Sequence, residues 1–321
     1  MNAASGMGQS PEGTVPSNNA SRRTFLKGVG LAGAAGLAGP LLASTSARAS
    51  AEGVILGSNA PGTYPQFIQA VPDAVGCRSY RDTVIMEPGD VPATFPGEAG
   101  SKVVASIRPD PDTFLNGDTL DAAISAMIAD GAANFSAPQL TVWHEAGNLY
   151  HGAEWDKYNI TATKIRQMHV KMQNLCNEVA GPHVGYGCII YGDISTMDEW
   201  IPYSPYALDW YGIDVYWNDN FDFSTYAKLK AYMDDYLALA RGRTGLTWPK
   251  INICETNTHL ESNRPGFFSN VALWLNNNGG RRMLTFFPAT AGPHSVSWEY
   301  VVDAAVPYTI DALNYIQSTY G

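Results

Sequence analysis

Short apolar runs alternate with longer amphipathic ones along most of this chain. Eight runs read as strands: Val54–Gly57, Gly76–Tyr80, Lys102–Ile107, Gln139–Glu145, Val184–Tyr191, Leu208–Val215, Ile251–Glu255 and Met283–Phe287. Helical spacing is clearest over Thr119–Asp130, Thr161–Val179, Thr225–Arg241, Gly266–Asn276 and Thr309–Thr319. In the second of these, Ile165, Met168, Met172, Leu175, Cys176 and Val179 share one stripe. Strands that alternate with helices of this length predict an α/β fold, a parallel sheet covered by helices. Eight such strands in one domain predict a single (β/α)8 TIM barrel.

Two stretches break the alternation. Between Arg81 and Ser101, Pro88, Pro92, Pro96 and several glycines read as a long irregular crossover, and Ser195 to Ala207 offers at most a short helix. The competing architecture, an open doubly wound sheet, announces itself by a glycine-rich phosphate turn after its first strand. Here that position holds Ser58-Asn59-Ala60-Pro61-Gly62-Thr63-Tyr64, with neither the glycine spacing nor a Lys-Ser/Thr pair. Nucleotide and dinucleotide cofactors are disfavoured, and no cofactor is expected.

The first 49 residues carry a different pattern. Ser21-Arg22-Arg23-Thr24-Phe25-Leu26-Lys27 precedes an apolar, small-residue stretch from Gly28 to Leu42 and an Ala47-Arg48-Ala49 cleavage site. This is the signature of a twin-arginine export signal, too short and too rich in Gly and Ala for a membrane anchor. The expectation is a secreted protein that works as residues 50–321, one domain with no internal linker or repeat. Without the signal's four basic and one acidic residues, 16 Lys+Arg face 29 Asp+Glu, a balance of −13. That charge disfavours nucleic acid and membrane surfaces as partners and suits a neutral substrate. A monomer is expected.

Cys77, Cys176, Cys188 and Cys254 are scattered and lack C-x-x-C spacing, so neither a zinc ribbon nor a disulfide framework is supported. Buried thiols are expected, with a Cys176–Cys188 bridge left open.

The chemistry concentrates in two glutamates at the tips of apolar runs. Glu145 ends Leu140-Thr141-Val142-Trp143-His144-Glu145, and Glu255 ends Lys250-Ile251-Asn252-Ile253-Cys254-Glu255. In strand order they terminate the fourth and seventh strands, and in a parallel barrel both then open onto one mouth. Glycosidic hydrolysis with retention needs such a pair, an acid for the leaving oxygen and a carboxylate for the anomeric carbon, ~5–5.5 Å apart. Each glutamate alone is equally a capping or salt-bridged residue; two in matching strands favour the catalytic reading. His144 and His151 lack the i, i+4 spacing of a zincin, so no metal is expected, and no nucleophile elbow supports a serine esterase.

These residues carry a resemblance. The acid/base after strand four and nucleophile after strand seven resemble clan A of the glycoside hydrolases. His144-Glu145 with Gly147-Asn148 and Tyr150 is most similar to family 26, which is mannanase-like. Gly212-Ile213-Asp214-Val215-Tyr216 is similar to that family's strand-six run, which brings a tyrosine beside the nucleophile. The resemblance implies Glu145 as acid/base, Glu255 as nucleophile and Tyr216 as the nucleophile's hydrogen-bond partner, in a retaining enzyme that cleaves a polysaccharide. The sequence departs from family 26 after both glutamates, at Ala146-Gly147-Asn148 and Thr256-Asn257, and the sugar and linkage stay open.

Further candidates surround this pair. His144 and Asn148 are placed to meet substrate, His144 being as readily a structural histidine. Tyr216 and Asp214 can equally close a barrel layer. Among the aromatics, Trp217 and Trp298 are the candidates for a sugar-stacking cleft, whereas Trp143 and Trp210 read as core. Arg108, like Arg78, can hold a catalytic carboxylate ionised or form a structural ion pair. The rival reading is a carbohydrate-binding barrel without catalysis.

Overall fold

The computed structural model describes residues 55–58, 77–86, 89–97, 102–146, 157–191, 199–200, 208–218, 221–247, 249–258, 261–278, 282–286 and 307–320. These all fall in one unit, Ala49–Gly321. The expectations for the export signal, Asn148, Tyr150, His151 and Trp298 lie outside the described residues.

The fold is α/β. Its strands are β1 (Ile55–Ser58), β2 (Cys77–Met86), β3 (Lys102–Pro109), β4 (Gln139–Val142), β5 (Gly185–Ile190), β6 (Trp210–Trp217), β7 (Ile251–Thr258) and β8 (Arg282–Phe286). Each pairs in parallel with the next, and β1 also pairs with β8, so the sheet closes on itself. Among the described residues the helices are α1 (Pro111–Asn116), α2 (Thr119–Asn134), α3 (Ala162–Val179), α4 (Tyr226–Thr244), α5 (Arg264–Asn278) and α6 (Pro307–Tyr320). None is long and apolar enough to cross a membrane.

Local chemistry sets these helices. Asp110 caps α1 by accepting from Thr113 N at 2.8 Å, with Pro111 in the first turn. Thr161 and Thr225 cap α3 and α4 by accepting from Lys164 N and Lys228 N. Such side chains satisfy amide donors that the first turn leaves open. Gly245 ends α4 at φ 68°, a left-handed cap that glycine adopts without strain.

The sequence and structure differ at four elements. β2 runs on through the stretch read as a crossover, to Met86, because its register against β3 shifts between Arg81 and Ile85 and pairing then resumes. β7 likewise extends to Thr258. β4 stops early, at Val142, because Trp143 takes φ 48°, outside the extended range a ladder needs. The short helix α1 was not foreseen; its six residues are too few for a helical period to show.

Strand alternation divides the core in two. Val103, Ala105 and Ile107 of β3 face outward and join the main apolar cluster with Phe268, Val271 and Leu275 of α5 and Met168 and Met172 of α3. The residues between them face inward: Val104, Ile189, Trp210 and Cys254 form a separate inner cluster contributed by β3, β5, β6 and β7. Glycine makes room for Trp210, since a Cβ at Gly187 would lie 2.2 Å from the indole Cδ2. Near the same level Asn252 Nδ2 donates to Gln139 Oε1 at 2.8 Å, joining β7 to β4 through the interior.

Cys176, Cys188 and Cys254 are buried free thiols, so the Cys176–Cys188 bridge is not formed. Burial pushes the Cys188 thiol up to about 12 and raises Cys176 as well. Both stay protonated and act as small apolar side chains.

Candidate active site

In the C-terminal halves of β6 and β7 and just beyond β4, three carboxylates converge. One oxygen from each of Glu145, Asp214 and Glu255 lies within 4.8 Å of the others. Asp214 is fully buried and Glu255 6% exposed, while Glu145 is half-buried. Such a group could also approach a cation, each residue offering one oxygen ligand.

A break in strand periodicity brings Glu255 to this position. In β7, Ile251 and Ile253 belong to the outer cluster and Cys254 to the inner one. Simple alternation would then turn Glu255 outward. Between Ile213 and Asp214 the register with β6 shifts: Ile213 pairs with Ile253, but Asp214 pairs with Glu255, leaving Cys254 as an extra residue. After this bulge Glu255 points inward beside Asp214 and Tyr216, an aiming role bulges often take near functional sites.

Glu145 arrives by a different route. It sits three residues beyond β4 in a turn, with Trp143 at φ 48° and Glu145 itself at φ 56°. Two non-glycine residues in the left-handed region cost ~1–3 kcal/mol each. The turn is tied at both sides: Trp143 N donates to Ile107 O at 3.0 Å, and Glu145 N donates to Ile189 O at 2.9 Å. The Trp143 indole donates to Pro109 O at 2.9 Å, and its ring is buried in the core.

Tyr216 Oη donates to Glu255 Oε2 at 2.6 Å. Burial first, then the charges of Glu255, Asp214 and Glu145, holds the phenol well above its ordinary value. The hydroxyl therefore remains a donor and leaves the other oxygen of Glu255 for chemistry. Tyr191, at the end of β5, packs edge-on against Tyr216 at 5.7 Å and accepts from Asn218 Nδ2 at 3.2 Å. Asn257 Oδ1, two residues beyond Glu255, accepts from Thr258 N and Arg264 Nε.

The remaining candidates separate. His144 is 6% exposed, and its Nδ1 bonds Ser106 Oγ at 2.7 Å. Arg108 is buried with its guanidinium 5.7 Å from the Trp143 ring centroid. Trp217 packs edge-on against Phe267 of α5 at 6.1 Å, on the face of β6 that alternation sets opposite Tyr216. One step along a strand reverses the side chain. In sequence Asp214 has only the context of a barrel-layer residue, and Tyr191, Asn218 and Asn257 carry no signal of their own. Asp214 and Tyr216 share an inward phase that starts at Trp210, which is the signal that finds them together.

No family model matches the chain, and no curated protein matches it in sequence. Solved structures do match. A β-mannanase from a symbiotic protist of the termite Reticulitermes speratus has a TM-score of 0.50 at 12% identity, covering 83% of this chain and 87% of that one. The Clostridium thermocellum endo-1,4-β-D-xylanase 10B has a TM-score of 0.50 at 13% identity, covering 84% and 67%. A Podospora anserina GH26-CBM35 β-(1,4)-mannanase has a TM-score of 0.47 at 13% identity over 84% of this chain, which spans 62% of that protein's length. The fold is thus similar to that of clan A glycoside hydrolases.

Proposed function

We propose that the protein is an exported glycoside hydrolase built on a complete (β/α)8 barrel, cleaving a polysaccharide with retention through Glu145 and Glu255. The observation that carries this reading is the approach of those two carboxylates, with Asp214, to within 4.8 Å. That spacing suits double displacement; inversion needs a gap of ~6.5–9.5 Å to admit a water between the groups.

In the first step Glu255 attacks the anomeric carbon while Glu145 gives its proton to the leaving oxygen. The sugar is then held as an ester on Glu255. Glu145, now a carboxylate, takes a proton from water as that water attacks the same carbon from the opposite side. Tyr216 orients Glu255 through the 2.6 Å hydrogen bond. Residues 1–49 serve as a twin-arginine signal removed on export, and 50–321 act as a monomer on a mannan-like or related polysaccharide, without cofactor or metal. His144, Asn148 and Trp298 contact the sugar, and Arg108 braces the Trp143 turn that carries Glu145.

The two glutamates have separable roles, which supplies the test. Glu255→Ala abolishes turnover of every glycoside. Glu145→Ala loses polysaccharide hydrolysis but still forms glycosyl-enzyme from an activated aryl glycoside, whose phenolate leaves unprotonated. Azide then accelerates release and yields a glycosyl azide of retained configuration. Equal loss on activated and natural substrates by Glu145→Ala, or survival of activity in Glu255→Ala, would refute the assignment. Saccharide binding by the wild-type protein with no reducing-end release would favour a binding barrel instead.

A further inference from the structure

His144 reaches into the barrel against the rhythm of its strand. In β4, Gln139 faces the interior, and Leu140 and Val142 face the outer core. Unbroken alternation would send Trp143 inward and His144 outward. The left-handed break at Trp143 reverses this. The Trp143 ring joins the outer core, and His144 Nδ1 meets Ser106 Oγ at 2.7 Å. Ser106 stands two residues after Val104, on the inner face of β3, and is wholly buried.

That contact has a direction. Among the described residues, the Ser106 hydroxyl has His144 Nδ1 as its one hydrogen-bond partner. A hydroxyl carries one donor hydrogen and two acceptor lone pairs. If Nδ1 carried hydrogen, it would donate to Ser106 Oγ, and the hydroxyl's own hydrogen would be sealed in the core with no acceptor. If Nδ1 is bare, the hydroxyl donates to it and only lone pairs are left over. Buried donors go unmet less often than acceptor lone pairs do. An imidazolium is disfavoured by the same count, since it too presents an N–H to Ser106. The bond made by one ring nitrogen decides whether the other holds the hydrogen.

We infer that Ser106 is a positioning residue, whose hydroxyl fixes His144 as the neutral tautomer with its hydrogen on Nε2. His144 lies between the two left-handed residues Trp143 and Glu145, so a ring held onto β3 also pins the turn that carries the Glu145 carboxylate. The imidazole is thereby a donor, suited to a hydroxyl oxygen of a sugar lying between Glu145 and Glu255. That last step rests on the proposed function; the tautomer does not.

The test is long-range ¹H–¹⁵N NMR of the exported chain with ¹⁵N-labelled histidines, which reads which ring nitrogen carries hydrogen. His144→Gln identifies the His144 signals by their loss. A neutral ring with hydrogen on Nε2 is expected at neutral pH. Ser106→Ala should turn this into a mixture of tautomers, and Ser106→Thr, which keeps the hydroxyl, should restore it. In Ser106→Ala the polysaccharide kcat/KM should fall about 2- to 10-fold, the worth of one neutral hydrogen bond, and recover in Ser106→Thr. Where His144→Gln is already present, Ser106→Ala should lower it no further. Hydrogen on Nδ1 in the wild type, or full additivity in the double variant, overturns the assignment. Should the Ser106 variants fail to fold, the wild-type spectrum alone decides. The tautomer is read without turnover: hydrogen on Nε2 in a protein that cleaves no glycoside sinks the proposed function and spares Ser106, whereas hydrogen on Nδ1 in an active enzyme does the reverse.

Discussion

Burial and three neighbouring carboxylates keep the Tyr216 phenol protonated, so its hydrogen bond to Glu255 persists across the working range of pH. A hydrogen bond to a charged group contributes ~1.5–3 kcal/mol. Tyr216→Phe should therefore lower kcat by about 10- to 100-fold with little change in KM or melting temperature, as steady-state kinetics and thermal melting would report. An unchanged kcat would remove Tyr216 from the mechanism. The meeting of Glu145 and Glu255 is legible in the sequence because an acidic residue at the tip of an apolar run is costly unless used. Asp214 was harder to read: inside the buried run Trp210–Trp217 its carboxylate has the sequence context of a barrel-layer residue. The aromatic type of Trp217 does not tell which face of a strand it occupies; that is set by its phase relative to Tyr216.

At the scale of elements, the inner layer is tightest where β5 passes Trp210. A methyl on Gly187 would lie 2.2 Å and 2.4 Å from indole carbons and 2.5 Å from the Trp210 carbonyl oxygen, and backbone cannot yield as a flexible side chain can. Gly187→Ala should lower stability by at least ~1–3 kcal/mol, the usual range for overpacking, seen as a lower denaturant midpoint. Gly185→Ala, two residues away on the same face, should change it far less. A Gly187 variant as stable as its parent would mean the indole is not lodged there. The strand count, the parallel order and five of the helices were readable from periodicity, because period 2 and period 3.6 separate cleanly over six residues or more. What periodicity could not supply were the register shifts in β2 and β7 and the left-handed break after β4. Those depend on what a neighbouring strand does, which no single segment records.

For the molecule as a whole, buried titratable groups define a pH window of stability. Tyr186, Tyr211, Tyr216 and Tyr236 are all raised, chiefly by burial. A raised value contributes stability that is complete below the unfolded tyrosine value, about 10, and is lost as pH climbs above it. His169 is lowered by burial to about 3 from 6.5, beside Tyr186 Oη at 2.7 Å. Its contribution is complete above pH 6.5 and declines as pH falls toward 3. Denaturant midpoints measured across pH should fall at both ends, and His169→Gln should flatten the acid side. An acid limb unchanged by that substitution would assign it to other groups. Reductant should leave the midpoint at neutral pH unmoved, since Cys176, Cys188 and Cys254 are free thiols; unfolding by mild reductant alone would contradict this. The supernumerary Cys254 has a consequence of another kind. It acts as a phase slip in an otherwise two-step rhythm, and everything after it along β7 is aimed by that slip. Loss of that one codon would remove the slip yet leave Glu255 turned inward, in the place Cys254 now holds and opposite Asp214. What the slip provides is room: a packing thiol and a carboxylate occupy the same inner face in consecutive positions, which an unbroken two-step rhythm cannot arrange.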